Sequence, residues 1–325
     1  MTGLWTALAL LAVAGLGSAA AHRLADARWP MRAPGLGILA WQSLSLSLVS
    51  SLTLASIALV IPQLPAKSSL AELMHLCTTV LTEQLRRPET GVLTVLGLAG
   101  VVGLTTRFGF LLVRGRLTAR RRRRRQHASL LLTGTHRVDG LIVIEHHTPV
   151  VYCLPGRRSR IIATTGATES LTAVELDGVM AHERAHLRLR HDLALAVAQA
   201  LARTFRGVRT FELAASQVAR LVEMQADDAA GMTARPHLAR AMLHLAQGPS
   251  GALSAGGATV DRARRLLTPM APLPPAHRLL IAGTALAAIV APVALGLLPS
   301  ASTIGQQCCL TTSDTSHRWD LEGRH

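Results

Sequence analysis

The sequence predicts a mainly α membrane protein: four transmembrane helices, with an α+β domain carrying a small β-sheet between the third and the fourth. Three observations predict it. The 325 residues are 49% hydrophobic and only 3% aromatic, with a mean hydropathy of +0.32, high for a soluble protein. Four apolar runs are long enough to cross a bilayer: about 4–21, 36–61, 92–113 and 279–298. Between the third and fourth runs, β-rich segments give way to helical periodicity, over a length that suits one compact domain. The chain therefore divides into a membrane region (1–113), a globular domain (114–267), a linker with the fourth span (268–298) and a short tail (299–325).

The first run ends in Ser18-Ala-Ala-Ala21, which resembles a signal-peptide cleavage site, but no charged side chain precedes it, so an uncleaved span is expected. Loop charges set the orientation. Arg23, Arg28 and Arg32 outweigh Asp26 after the first span, whereas 62–90 is balanced. Arg114, Arg116 and the unbroken run Arg120–Arg125 follow the third span. The positive-inside rule then puts the first loop and the globular domain in the cytoplasm, and the N-terminus and tail outside. Almost all of the net charge of +15 is arginine, with Lys67 the only lysine. The run Arg120–Arg125 is read as an anchor against anionic headgroups, and no direct nucleic-acid partner is expected. In the outer loop, Ser69-x-x-Glu72 is a capping box that opens a short amphipathic helix.

In the globular domain, Gly140–Glu145, Val150–Leu154 and Arg160–Thr165 read as strands, with a turn at Pro155-Gly156. Thr172-x-x-Glu175 is a second capping box and starts a helix. Further helix is expected from about Leu193 to Ala246, broken near 203–207 and 231–236; a Gly/Ser/Ala linker occupies 248–258. Arg262, Arg264 and Arg265 then lead back toward the membrane, and the tail reads as polar and loose. Cys77, Cys153, Cys308 and Cys309 form no CxxC pattern, so any zinc site must draw on histidine.

The helix opened by Thr172 carries His182-Glu-Arg-Ala-His186, an H-E-x-x-H sequence. With 14 histidines in the chain, chance would supply roughly 0.02 such matches, so the motif is informative. Two histidines four apart share a helix face, where both imidazoles can bind one Zn²⁺, and Glu183 beside them can serve as general base. A third ligand is required. Asp192 follows His186 by the spacing used in metzincin-like sites, but Leu189 stands where those sites need a glycine to leave the helix. The helix is therefore expected to continue and carry Asp192 away; His191 is one residue out of that register. Glu223 in Glu223-x-x-x-Asp227 is the stronger candidate, with Asp227 one turn later placed to accept the N–H of a ligating histidine. One Zn²⁺ per chain on His182, His186 and Glu223 is the expected centre. Strand 150–154 (Val150, Val151, Tyr152, Cys153, Leu154) is the candidate substrate-binding segment, by strand addition. Tyr152, His191 and His237 are candidates for stabilising an oxyanion.

His182, Glu183, His186 and Glu223-x-x-x-Asp227 resemble the gluzincin arrangement of membrane zinc peptidases. Tyr152-x-Leu-Pro-Gly156, Thr164-Thr-Gly166, Leu171–Glu175, Arg190-His-Asp192 and Arg264-Arg-Leu-Leu267 resemble the BlaR/MecR-type antirepressor peptidases. The resemblance covers about 136–267; HtpX-like quality-control peptidases share the same plan. It implies a zincin-like domain and an integral-membrane zinc endopeptidase. It also implies a cytosolic protein substrate, such as a winged-helix repressor of the BlaI/MecI type. The antibiotic sensors of that family continue into an external penicillin-binding domain, whereas here 299–325 contains no S-x-x-K sequence. A sensor is therefore expected to be missing or supplied by a separate protein. The competing reading is a membrane receptor with a purely structural zinc site.

Overall fold

A computed structural model describes residues 2–60, 82, 86, 88–133, 135–136, 141–155, 159–246, 256–268 and 270–313. The expected amphipathic helix after Ser69, the linker at 248–255 and residues 314–325 lie outside the described residues, as do the side chains of Cys77, Cys308 and Cys309.

Among the described residues four helices are long and apolar enough to cross a membrane, over Leu4–Asp26, Pro34–Ala58, Thr94–Thr118 and Pro275–Gly296, so the chain has the character of a multi-pass membrane protein. They belong to α1 (Thr2–Asp26), α2 (Pro34–Val60), α3 (Pro88–Thr133) and α10 (Pro275–Ser313). α3 continues through the arginine run without a break. α10 continues past residue 298 to Ser313, so the first part of the tail is helical, not loose.

The contacts divide the chain into two compact units. The first comprises Met1–His22, Ser43–Arg107 and Thr284–His325. Its small core joins Ala7 and Leu10 of α1 to Ala55 of α2, with Leu54, Ala58 and Leu295 against them. Ser43, Ser45, Ser47 and Ser51 of α2 are buried here too, and the half-buried Ser56 turns its hydroxyl to the Leu52 carbonyl at 2.9 Å, so it is satisfied within its own helix.

The second unit comprises Arg23–Gln42 and Phe108–Gly283 and holds the α+β domain. Its strands are β1 (Thr135–His136), β2 (Leu141–Ile144), β3 (Val151–Leu154) and β4 (Arg160–Thr164), in the spatial order β1-β2-β4-β3. β2 runs parallel to β4 and β3 antiparallel to it, which leaves β3 at an edge. Thr164 seals this corner: its Oγ1 donates to the Thr148 carbonyl at 2.8 Å and accepts from the Val150 and Ala167 amides. The last of these caps α4 (Thr165–Ser170), a short helix the sequence reading did not anticipate. Gly166 is required there, because a Cβ would run into the His147 carbonyl.

α5 (Ala173–Arg188) opens on the expected capping box, with Thr172 and Glu175 exchanging both bonds. One face of α5 packs Met180 onto Leu141, Ile161 and Ala163 of the sheet. The opposite side packs Val179 against Leu238, Ala239 and Ala241 of α8 (Arg235–Ala246), joined by Ala263 and Leu266 of α9 (Gly256–Leu267). Gly178 allows this approach, since its Cβ would already touch the Leu238 backbone at 3.4 Å. α6 (His191–Thr204) and α7 (Arg209–Ala229) complete the domain, with breaks near 205–208 and 230–234 as expected.

A second expectation is overturned. The helix after His186 does not continue through Leu189; it stops at Arg188, and Arg190 takes the left-handed conformation at φ 54°. The turn that a glycine would have made easily is made by arginine, at a cost of about 1–2 kcal/mol. The next residue, His191, is only 2% exposed and opens the following helix.

Candidate metal centre

α5 presents His182 and His186 one turn apart, with their Nε2 atoms 3.0 Å from each other. α7 brings Glu223 opposite them. Its Oε2 lies 3.6 Å from His182 Nε2 and its Oε1 3.6 Å from His186 Nε2. Among the described residues these three form a group whose donor atoms all lie within 4.8 Å of one another. Two bonds of ~2.05 Å at a tetrahedral angle hold their donor atoms ~3.3 Å apart, so spacings of 3.0 and 3.6 Å fit a tetrahedral N,N,O site for zinc. Asp192, the rival third ligand, is not part of this group and lies 3.8 Å from Arg190.

The surroundings of each ligand are specific. His182 Nδ1 is 2.9 Å from Oδ1 of Asp227, which is fully buried, although its N–H is not aimed squarely at that oxygen. This is the contact expected from the E-x-x-x-D spacing. His186 is backed by a residue that sequence reasoning had weighed only as a ligand or an oxyanion donor. His191 Nδ1 lies 2.9 Å from His186 Nδ1, and His191 Nε2 lies 3.1 Å from Gln225 Oε1. The assignment is self-consistent: His191 Nε2–H donates to the amide oxygen, leaving its Nδ1 to accept the N–H of His186, whose Nε2 is then free as a ligand atom.

Arg262 was missed entirely as a member of the site. From α9 it grips Asp227 with two bonds, Nε to Oδ2 at 2.9 Å and Nη2 to Oδ1 at 2.7 Å. Its third nitrogen, Nη1, reaches Glu223 Oε2 at 2.9 Å. One guanidinium therefore clamps the third ligand and the carboxylate behind the first. In the stretch that leads back to the membrane Arg265 is engaged too, pairing with Asp228 at 2.7 Å. No spacing marked Arg262, because it lies 35 residues beyond Asp227, with another helix between them.

These contacts decide the charge states of the metal-free centre. Burial opposes a charge on His182, but Asp227 and Glu223 outweigh it and its pKa is pushed up to about 9. Burial holds His186 neutral, down to about 4. Burial would also raise Asp227 and Glu223, yet Arg262 and His182 keep both carboxyls below the usual range. Glu183 differs. Burial raises its pKa, and its carboxylate sits against the thiol and backbone of Cys153 on β3. Burial and then Glu183 push the Cys153 thiol up to about 12, so it remains a protonated donor.

β3 therefore lies along the site, but its five candidate residues are not equivalent. Val151 packs toward α5 and Cys153 faces Glu183, whereas Tyr152 and Leu154 pack on the other face of the sheet with Ile142 and Ile162. Tyr152 is thus on the wrong face to stabilise an oxyanion, and His191 is occupied behind His186. His237, the third candidate, is half-buried on α8 and is not in the metal group formed among the described residues. The Thr164 amide bonds the Val150 carbonyl, so Val150, Tyr152 and Leu154 face β4 with their main-chain groups. Those of Val151 and Cys153 point to the open edge.

No curated protein and no solved structure matches the chain. Residues 118–270, just under half of it, match the family model of Peptidase family M48. That segment contains every residue of the centre, and by this M48 domain the protein is a zinc metallopeptidase, a hydrolase.

Proposed function

We propose that the protein is an integral-membrane endopeptidase that cleaves a cytosolic protein substrate at this centre. His182, His186 and Glu223 would hold the zinc, with Asp227 and His191 orienting the two imidazoles. Zinc bound there supplies Lewis-acid activation of a water molecule and of the scissile carbonyl. Glu183 accepts a proton from the attacking water on its carboxylate and returns it to the departing amide nitrogen. Its raised pKa suits a group that must hold that proton between the two steps. An extended substrate would add to β3 through the outward main-chain groups of Val151 and Cys153.

The observation that carries the reading is the position of Glu183, between the open edge strand and the His–His–Glu group. A purely structural zinc site has no use for a half-buried carboxylate in that place. Loop charge supports a cytoplasmic domain, with the N-terminus outside, since arginines flank both segments that lead into it. The resemblance to BlaR/MecR-type peptidases favours a winged-helix repressor of the BlaI/MecI type as substrate, with a separate sensor protein as trigger. A second reading, quality control of membrane proteins in the manner of HtpX-like peptidases, is favoured by the main-chain character of the β3 edge, which suits any extended segment.

Glu183→Gln tests the mechanism. The variant keeps its zinc while cleavage of a candidate substrate falls by roughly 10²–10⁴-fold. Undiminished cleavage would remove Glu183, and the catalytic assignment, from this site.

A further inference from the structure

A cavity of about 450 Å³ with charged groups in a largely apolar lining lies in the same unit and takes no part in the peptidase centre. Its walls include Arg32, Arg235, Arg265 and Asp228, with Met232 and Met270. Three arginines against one aspartate leave two positive charges uncompensated. Arg265 is saturated: it bonds both Asp228 oxygens, at 3.0 and 2.7 Å, and the Met31 carbonyl at 3.0 Å. Arg235 is not. It gives one bond to Asp228, at 3.0 Å, and its buried Nε has no partner among the described residues. Arg32 is exposed, and its guanidinium has no partner among them either.

Position adds to charge. Arg32 just precedes α2, while Met270, Ala271 and Pro272 just precede α10, so the lining comes from chain about to enter two candidate spans. Arginines with spare donors and thioether walls, at the threshold of spans, suit a phosphate that carries an apolar body.

We propose that this cavity is a binding site for a phosphate group, presented by the headgroup of an acidic phospholipid. Arg32 and Arg235 donate to the phosphate oxygens, while Arg265, locked on Asp228, fixes the floor.

The test uses the full chain in a neutral detergent, titrated in parallel with phosphatidylglycerol, phosphatidylcholine and inorganic phosphate, with ³¹P NMR and native mass spectrometry as readouts. Phosphatidylglycerol is expected to bind saturably, at least about tenfold more tightly than phosphatidylcholine, and to weaken by about tenfold or more in Arg32→Gln/Arg235→Gln. Arg32→Glu guards against misfolding of the double variant, because the Arg32 guanidinium has no partner among the described residues. It should keep its zinc and still lose phosphatidylglycerol. Inorganic phosphate that competes equally would uphold the site and assign it to the free anion. Equal binding of the two lipids with no phosphate binding, or unchanged binding in both variants, would overturn the proposal.

Discussion

Arg262→Gln is the most informative perturbation of the centre. The wild-type guanidinium makes two bonds to Asp227, at 2.9 and 2.7 Å, and one to Glu223, at 2.9 Å. Asp227 is fully buried, so removing the cation strands a carboxylate whose remaining partner is His182. Breaking a buried pair by deleting one partner costs about 3–5 kcal/mol. The Glu223 contact adds less, because 38% of that side chain is open to solvent. Zinc affinity should fall by about 10–100-fold, or about 1.4–2.8 kcal/mol, the usual effect of losing a group that orients a ligand. Competition with a chelator measures the affinity, and thermal unfolding of the detergent-solubilised protein measures the stability. Arg262→Gln/Asp227→Asn is the control. With the stranded charge removed it should regain part of the stability, though not the full zinc affinity. If Arg262→Gln unfolds earlier yet binds zinc within about threefold of wild type, Arg262 is only a brace between α9 and α7. If neither quantity moves, the clamp is refuted.

Two further predictions follow from the same geometry. His191→Phe keeps a flat ring, somewhat larger, but removes both nitrogens, so zinc affinity should drop by about tenfold or more while the helix boundary at Arg190 persists; affinity equal to wild type would show that His186 needs no support. In the metal-free protein His182 holds a proton up to about pH 9, whereas an unfolded histidine releases it near 6.5. That contribution to stability is complete below pH 6.5 and is lost as pH rises through about 9. The same proton must leave before Nε2 can bind metal, so apparent zinc affinity should rise by roughly tenfold per pH unit between about 6.5 and 9. A flat profile over that range would contradict the charge state assigned to His182.

Much of the centre is written in short-range spacing. H-E-x-x-H and E-x-x-x-D place their side chains through helix periodicity, so His182, His186, Glu223 and Asp227 meet where that periodicity says they should. The capping box at Thr172 is equally local, as are the helix breaks near 205 and 231, where Gly207 and Gly231 take positive φ. Arg190 defeats local reasoning, because a non-glycine left-handed residue carries no mark in composition. Arg262 was hidden for a different reason: in a chain with 34 basic residues, one more arginine near a span looks like a membrane anchor.

The sequence by itself determined the four apolar helices, the strand-then-helix domain between them and the identity of the candidate zinc ligands. Each depends on hydrophobic length or on residues within a turn or two of one another. Only the tertiary structure decided what backs those ligands and which strand lies open beside them. β3 is central in chain order but sits at the sheet edge, because β4 crosses over to pair in parallel with β2. His191, Gln225 and Arg262 reach the centre from three separate helices: His191 is five residues from His186 but across the turn at Arg190, and the other two bonds span 34 and 35 residues, so packing of α5, α6, α7 and α9 brings them together.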